Sequence, residues 1–344
     1  MKKALFFILI IALSMFLLTS CGSQDTTSEP AIDASETNGE KITIKIGHIA
    51  TETLPEHLAA VEFKKFVEEK SNGRVVVEIY PNGQLGGDRQ MTEAVSLGTL
   101  DITTVTTSVL TTYDSKFGIL DMPFSFATPE DGFKAVDGEL GNYLNKLLPN
   151  YGIRNLGYML NGVRHAVNNV RPINQPEDFK GLKLRVMESP VYIDMMTLLG
   201  ANPTPMSFSE VYTSLQQGVI DGFECNAPFV FEMKFYDVQK YYSLTAHTVS
   251  FLAAIMNDKK YNSLPDDIKA IVDEGAKKYL VDYQRKLALD HDSEAMEQLK
   301  EAGMEINEIS PENHKKFVDA VQPMYEKYEK EFGAEIFDLL RKYQ

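Results

Sequence analysis

Pro176-Glu177-Asp178-Phe179-Lys180-Gly181-Leu182-Lys183-Leu184-Arg185-Val186 opens a stretch that closes with Gln217-Gly218-Val219-Ile220-Asp221-Gly222-Phe223-Glu224-Cys225-Asn226. Leu182, Leu184 and Val186 alternate with Lys183 and Arg185, which predicts a strand with one apolar face. Arg185 then stands near the end of that strand, where open α/β sheets bind ligands. Ser207 with Glu210 three residues on is a capping-box pattern, and Gly218 can stop the helix it starts. Residues 219–225 read as a second strand, interrupted at Asp221-Gly222. A guanidinium on one strand, with a helix and a second strand closing around it, makes a seat for a small carboxylate.

Toward the N-terminus the pattern is α/β. Ile42, Ile44 and Ile46 alternate with polar residues, giving a strand that ends at Gly47-His48. A helix follows from Pro55 to Lys70 and stops at Asn72-Gly73. Val75 to Tyr80 is a strand, Asp88 to Leu97 a helix stopped by Gly98, and 101–106 a third strand. This β-α-β-α-β order predicts a parallel sheet. Residues 157–161 and the segment after Arg164 form the passage into a second domain. Residues 249–256 are an apolar strand returning to the first. Residues 264–302 hold no Pro after Pro265 and only Gly275 before the closing Gly303. A helix of that length measures on the order of 50 Å, longer than a domain of this size is wide, so it should run along both. A short strand at 304–309, a helix capped by Ser310-Pro311-Glu312 and a last helix at 334–343 complete the chain. The 344 residues suffice for two domains. The expected division is 41–162 with 251–290 for domain I, and 163–250 with 291–344 for domain II.

The N-terminus is a targeting segment. Lys2 and Lys3 precede an apolar run at 4–18 broken only by Ser14, too short for a membrane span. Leu18-Thr19-Ser20-Cys21 resembles a bacterial lipobox, which implies a signal peptide at 1–20 and acylation of Cys21. Residues 21–40 then form a lipidated flexible tether, almost without apolar residues, spanning roughly 25 Å. With Cys21 acylated, Cys225 has no disulfide partner. The formal charge of −15 argues against a nucleic-acid partner. No nucleophile elbow, dinucleotide turn, phosphate-cradling loop or zinc-type pairing among the six His occurs, so neither a catalytic residue nor a metal or cofactor is expected.

Several motifs together resemble the substrate-binding (DctP) proteins of tripartite ATP-independent periplasmic (TRAP) transporters. They are Gly181-Leu182-Lys183-Leu184-Arg185-Val186, Gly200-Ala201-Asn202-Pro203-Thr204-Pro205, Ser209-Glu210-Val211-Tyr212 and Gln217-Gly218-Val219-Ile220-Asp221-Gly222-Phe223-Glu224. Gln84-Leu85-Gly86-Gly87-Asp88-Arg89 and Lys234-Phe235-Tyr236-Asp237-Val238-Gln239-Lys240-Tyr241 flank them with family-like spacing. The resemblance implies a two-domain periplasmic-binding-protein-like α/β fold with a long hinge-spanning helix. It implies an extracytoplasmic receptor, monomeric and without enzymatic chemistry. Such a receptor captures an organic acid (a dicarboxylate, uronate or other sugar acid) and delivers it to TRAP membrane permease subunits. A secreted enzyme acting on an anionic sugar and a sensor for a membrane kinase are the alternatives from other classes.

The resemblance also assigns roles. Arg185 would clasp the substrate carboxylate with two prongs, a task that suits a planar guanidinium better than a Lys; its alternative is an ion pair within the protein, with Glu188 for example. Arg164 matches a second family arginine, with a surface or hinge ion pair as its alternative. Phe208 either lies against ligand or packs in the core. Sialic-acid binders of the family read Asp-Gly-Gln-Glu-Asn at the second strand's end, and the Asn contacts ligand. Here Cys225 stands at that position and Asn226 follows, which counts against sialic acid. Asp221 and Glu224 form an acidic pair, read as structural hydrogen-bonding groups in preference to an acid–base pair, and Glu224, Cys225 and Asn226 are kept as candidate ligand contacts. From the first domain, His48, Glu52, Asp88 and Thr106 are candidate polar contacts.

Cys21→Ser is expected to abolish lipid attachment, because the thiol is the acylated group. Metabolic labelling with a tagged fatty acid should mark the wild type and leave the variant blank.

Overall fold

The isoleucine alternation at the start of the body forms strand β1 (Ile42–Gly47) in the computed structural model, which describes residues 41–344. The leader, Cys21 and the tether lie outside the described residues. Helix α1 (Pro55–Lys70) and β2 (Val75–Tyr80) follow with the expected boundaries; α2 (Asp88–Leu97) is capped by Gly87, with Asp88 its first residue, and β3 (Ile102–Thr106) begins one residue later than expected. β1 pairs in parallel with both β2 and β3, as the βαβαβ order requires. Two short helices, α3 (Pro129–Asp137) and α4 (Glu139–Asn145), lead into β4 (Ile153–Asn168).

The central stretch forms β5 (Lys183–Val186), α5 (Pro190–Leu198), β6 (Asn202–Pro205), α6 (Val211–Gln216), β7 (Gly222–Cys225) and α7 (Ala227–Glu232). β5 pairs in parallel with β6 and β7. The expected second strand thus begins at Gly222, not 219. Asp221 is occupied beforehand: its N–H donates to the Lys183 carbonyl at 2.7 Å, and its carboxylate accepts from the Lys183 N–H at 2.9 Å. Ser207 and Glu210 form the expected capping box.

Strand β8 (Tyr241–Asn257) is followed by α8 (Asp258–Ser263), α9 (Asp266–Gly275), α10 (Gln284–Glu301), β9 (Glu305–Glu308), α11 (Pro311–Phe332) and α12 (Ala334–Arg341). All nine strands form one sheet in the order β2-β1-β3-β8-β4-β7-β5-β6, with β9 added to β8. β4 and β8 are its spine. They run antiparallel from Ile153 opposite Asn257 to Asn168 opposite Tyr241, with register shifts near Gly157, Gly162 and Ala166. The sequence reading saw in them only a passage and a short apolar strand. Asn161, Arg164 and His165 in β4, and His247, Thr248 and Ser250 in β8, break the apolar pattern, yet these side chains are buried or half-buried among partners.

The long helix exists and is continuous. A π-helical segment at Ala276–Tyr283 joins α9 to α10. Such segments widen the helix and turn side chains to new directions. Just beyond it, Gln284 donates to the Leu160 carbonyl and accepts from the Leu160 N–H. Arg285 bridges Asp137 with both Nη nitrogens and the Tyr158 carbonyl with Nε and Nη2. The helix is therefore tied to the middle of β4. One apolar core lies between β1–β3, α1 and α9; a second lies around β7, α7 and α10.

Gly222 is the tightest point of the central stretch. A Cβ there would stand 2.1 Å from the Val167 carbonyl oxygen, across the β4–β7 ladder. Gly222→Ala is expected to destabilise the fold by about 1–3 kcal/mol, as overpacking against backbone does. Urea denaturation measures this; a change below about 0.5 kcal/mol would mean that β4 and β7 separate freely.

Candidate functional site

The ends of β3, β5 and β7 meet the first turns of α1 and α2 and the middle of β4 around an open cavity of about 630 Å³. Its polar lining includes Glu56, Asp88, Thr104, Thr106, Arg164 and Arg185. Apolar surface comes from residues such as Ile49, Met187, Phe208 and Phe229.

Two guanidinium groups stand in one wall, and they differ. Arg164 is 3% exposed, and its Nε donates to the Glu224 carboxylate while Nη2 donates to the Glu224 carbonyl. Burial opposes charge on both members, but each holds the other ionised: Glu224 keeps Arg164 above its ordinary range, and Arg164 keeps Glu224 below its own. His247 also approaches Glu224, at 3.7 Å. The first guanidinium is thus neutralised within the protein. Arg185 is 4% exposed, and only its Nε has a protein acceptor among the described residues, the Met206 carbonyl at 2.9 Å. It makes no ion pair among those residues. Glu188, its alternative partner, reaches Arg89 instead at 3.6 Å. Burial lowers the Arg185 pKa, partly offset by Glu224, and an arginine remains charged regardless.

The opposite polar groups are acids. Burial pushes Glu56 up to about 8, although Thr104 donates to its Oε1. Burial pushes Asp88 up to about 6, against two 3.3 Å bonds from the Thr106 N–H and hydroxyl to Oδ2. Glu56 Oε2 and Asp88 Oδ1 are buried and have no protein partner among the described residues.

Of the residues singled out from sequence, Arg185, Arg164, Phe208, Cys225, Thr106 and Asp88 line the cavity. Phe208 lines the cavity and also packs against other rings. Its ring lies 5.8 Å from the Arg185 guanidinium carbon and packs edge-on against Phe229 and Phe235. Glu224, also a candidate ligand contact, does not line the cavity: its carboxylate and carbonyl are taken by Arg164. Asn226 does not line the cavity. Its amide donates to the Asn161 carbonyl at 2.6 Å, and its Oδ1 caps α7 by accepting from the Phe229 N–H. The strand pleat turns it away from the side that Cys225 faces. His48 is buried against His57, ring nitrogens 3.3 Å apart, and Glu52 is exposed in the turn before α1; neither lines the cavity. Glu56, one turn further on, does. Sequence reasoning passed over it because Pro-Glu at a helix start is an ordinary opening; nothing local marks this glutamate as buried. Thr104, Asn161 and Ser207 were missed similarly. No cluster of metal-ligating side chains occurs among the described residues, and none of their helices is long and apolar enough to cross a membrane.

The acids set a pH dependence for the empty protein. Glu56 and Asp121, the latter pushed up to about 7 by burial, bind more protons folded than unfolded, so their contribution falls as pH rises through the folded values. His48 and His165, lowered to about 3, act in the opposite sense, but only below their unfolded value of 6.5. Between pH 6.5 and 8 stability should therefore fall, by about 2 kcal/mol or less from Glu56. Melting curves of the ligand-free protein test this, and Glu56→Gln should flatten the slope.

The family model described as bacterial extracellular solute-binding protein, family 7 (DctP) matches residues 46–331. A C4-dicarboxylate-binding protein, DctB, of Bacillus subtilis is 30% identical over 95% of this chain and 93% of its own. Among solved structures, a TRAP periplasmic solute-binding protein of Polaromonas bound to D-erythronate is 36% identical, with TM-score 0.83 over 87% of this chain and 98% of that one. One from Sulfitobacter with bound β-D-galacturonate is 33% identical, with TM-score 0.83 over 87% and 99%. The likeness extends through the whole body, so the two-domain architecture is shared. The chain belongs to family 7 of the bacterial extracellular solute-binding proteins, the DctP family of TRAP transporter receptors.

Proposed function

We propose that this protein is the extracytoplasmic receptor of a TRAP transporter and captures a small organic acid: a dicarboxylate, uronate or other sugar acid. The observation that carries the reading is Arg185. It is a buried guanidinium whose Nη nitrogens lack a protein acceptor among the described residues, beside a second guanidinium already neutralised by Glu224. A desolvated cation without a partner is costly, and a ligand carboxylate supplies the missing charge and two acceptors. The solutes named for the compared proteins, C4-dicarboxylate, erythronate and galacturonate, all carry a carboxylate.

The receptor works by binding, not by covalent chemistry, and a ligand incubated with it should be recovered unchanged. The proposed halves are 41–162 with 251–290, and 163–250 with 291–344, so the chain crosses between them three times, within β4, β8 and α10. Ligand bridging the halves favours a closed form by differential affinity. A monomer tethered through acylated Cys21, or released in the periplasm, then presents the closed form to the permease subunits.

Arg185→Ala should cost about 3 kcal/mol or more, over a hundredfold in affinity, in calorimetric titrations with D-galacturonate, D-erythronate and succinate. Arg185→Lys keeps the charge but loses the fork, so roughly tenfold is expected. The melting temperature of both ligand-free variants should stay near wild type. Binding of Arg185→Ala within a few-fold of wild type would refute the carboxylate clasp. Small-angle scattering should show a smaller radius of gyration with saturating ligand; an unchanged profile would count against closure.

A further inference from the structure

Inside the cavity, positive charge is concentrated at one place. Arg164 is consumed by Glu224, which leaves Arg185 as the lining arginine without a direct ion pair among the described residues, although the more distant Glu224 and Asp88 charges act on it. The same cavity is lined by two buried carboxyl groups, each with one oxygen tied down and one left over among the described residues. Thr104 holds Glu56 Oε1 and Thr106 holds Asp88 Oδ2, while Glu56 Oε2 and Asp88 Oδ1 have no partner. Glu56 is 2% exposed, so its spare oxygen is not served by bulk water. A group that meets these oxygens must be able to donate a hydrogen bond. A hydroxyl donates and accepts, so it serves Asp88 as carboxylate and Glu56 in either protonation state. A carboxylate only accepts. It would find a donor only in protonated Glu56, and it would face the charge of Asp88.

Glu56, Asn161, Phe229 and Leu252 also line an adjoining cavity of about 340 Å³ that reaches Asp292. Asp292 Oδ1 is again buried without a partner, so the row of acceptors continues beyond Glu56. Ile49, Val109, Met187, Phe208 and Leu252 supply apolar surface for the C–H faces of a carbon skeleton.

We propose that the site selects a polyhydroxylated monocarboxylate of the aldonate or uronate type, carboxylate on Arg185 and hydroxyls on Glu56 and Asp88, and discriminates against acids with a second carboxylate. The inference rests on the carboxylate reading of Arg185 and narrows it to one class. Glu56 and Asp88 are then the residues that set specificity.

D-galactonate, galactarate and hexanoate separate the contributions. Galactarate replaces the terminal hydroxymethyl group of galactonate with a carboxylate, and hexanoate keeps six carbons and the carboxylate without hydroxyls. Calorimetric titration at pH 7.5 should show galactonate binding at least tenfold more tightly than either. Asp88→Asn should lower galactonate affinity and narrow the galactonate-to-galactarate ratio at least several-fold, because it removes the repelling charge. Glu56→Leu should weaken galactonate tenfold or more and leave hexanoate nearly unchanged. Glu56→Gln, which keeps size and polarity, should retain most of the affinity and guards against misfolding of the Leu variant. Equal binding of galactonate and galactarate, with a ratio that Asp88→Asn does not move, would overturn the specificity inference. If galactarate binding in that case still collapses in Arg185→Ala, the organic-acid reading survives. Failure of all three acids to bind, or binding indifferent to Arg185→Ala, would remove the clasp itself and this inference with it.

Discussion

Everything about this site follows from how two buried guanidinium groups are compensated. Each would be expensive to hold in a low-dielectric interior without a counter-charge. Arg164 receives one from the protein: Glu224, across the β4–β7 ladder, offers both its carboxylate and its backbone carbonyl. Arg185 on β5 receives a single carbonyl, from Met206. The same fold thus makes one arginine structural and leaves the other to be completed from outside. The paired arginine also keeps Glu224 ionised and hydrogen-bonded, so that its carboxylate offsets the burial of Arg185 only in part.

The acids opposite Arg185 follow the same logic with the opposite sign. Glu56 and Asp88 are placed by the first turns of α1 and α2, where backbone N–H groups favour negative charge, but burial raises both. Each is half satisfied by a threonine of β3. A buried oxygen without a partner reduces stability; on the proposed reading, the receptor tolerates it because ligand supplies what is missing. Local stability is surrendered where binding is gained, a pattern common to functional sites.

The frame that permits this is the β4–β8 pair. Its polar side chains, from Asn161 to His165 and from Thr245 to Ser250, lie deep in the molecule and would be unfavourable in an ordinary strand. Two find partners across the ladder, Asn161 with Ser250 and His165 with the Ala246 N–H, and Thr245 bonds His247 two residues along β8. The long helix grips β4 through Gln284 and Arg285 just after its π-helical segment. A change in the bend of β4 would therefore be felt by the helix and by Arg164 together.

By itself, the sequence determined the features that depend on neighbours along the chain. Alternation at Ile42–Gly47 and Lys183–Val186, the capping box at Ser207, the stops at Gly98 and Gly218, and the uninterrupted run after Pro265 all reflect local periodicity and capping, and the structure contains them. The family motifs around Arg185 were legible for the same reason, because they are contiguous. What only the tertiary structure decided are the properties created by burial. Glu52 and Glu56 are the same residue type four positions apart, yet Glu56 is buried in the cavity and Glu52 lies in solvent. Cys225 and Asn226 are adjacent, and the pleat sends one into the cavity while the amide of the other is spent capping α7. Which arginine is neutralised depends on β4 meeting β7, strands separated by more than fifty residues of chain. Desolvation and charge pairing are properties of the assembled interior, and no stretch of sequence carries them alone.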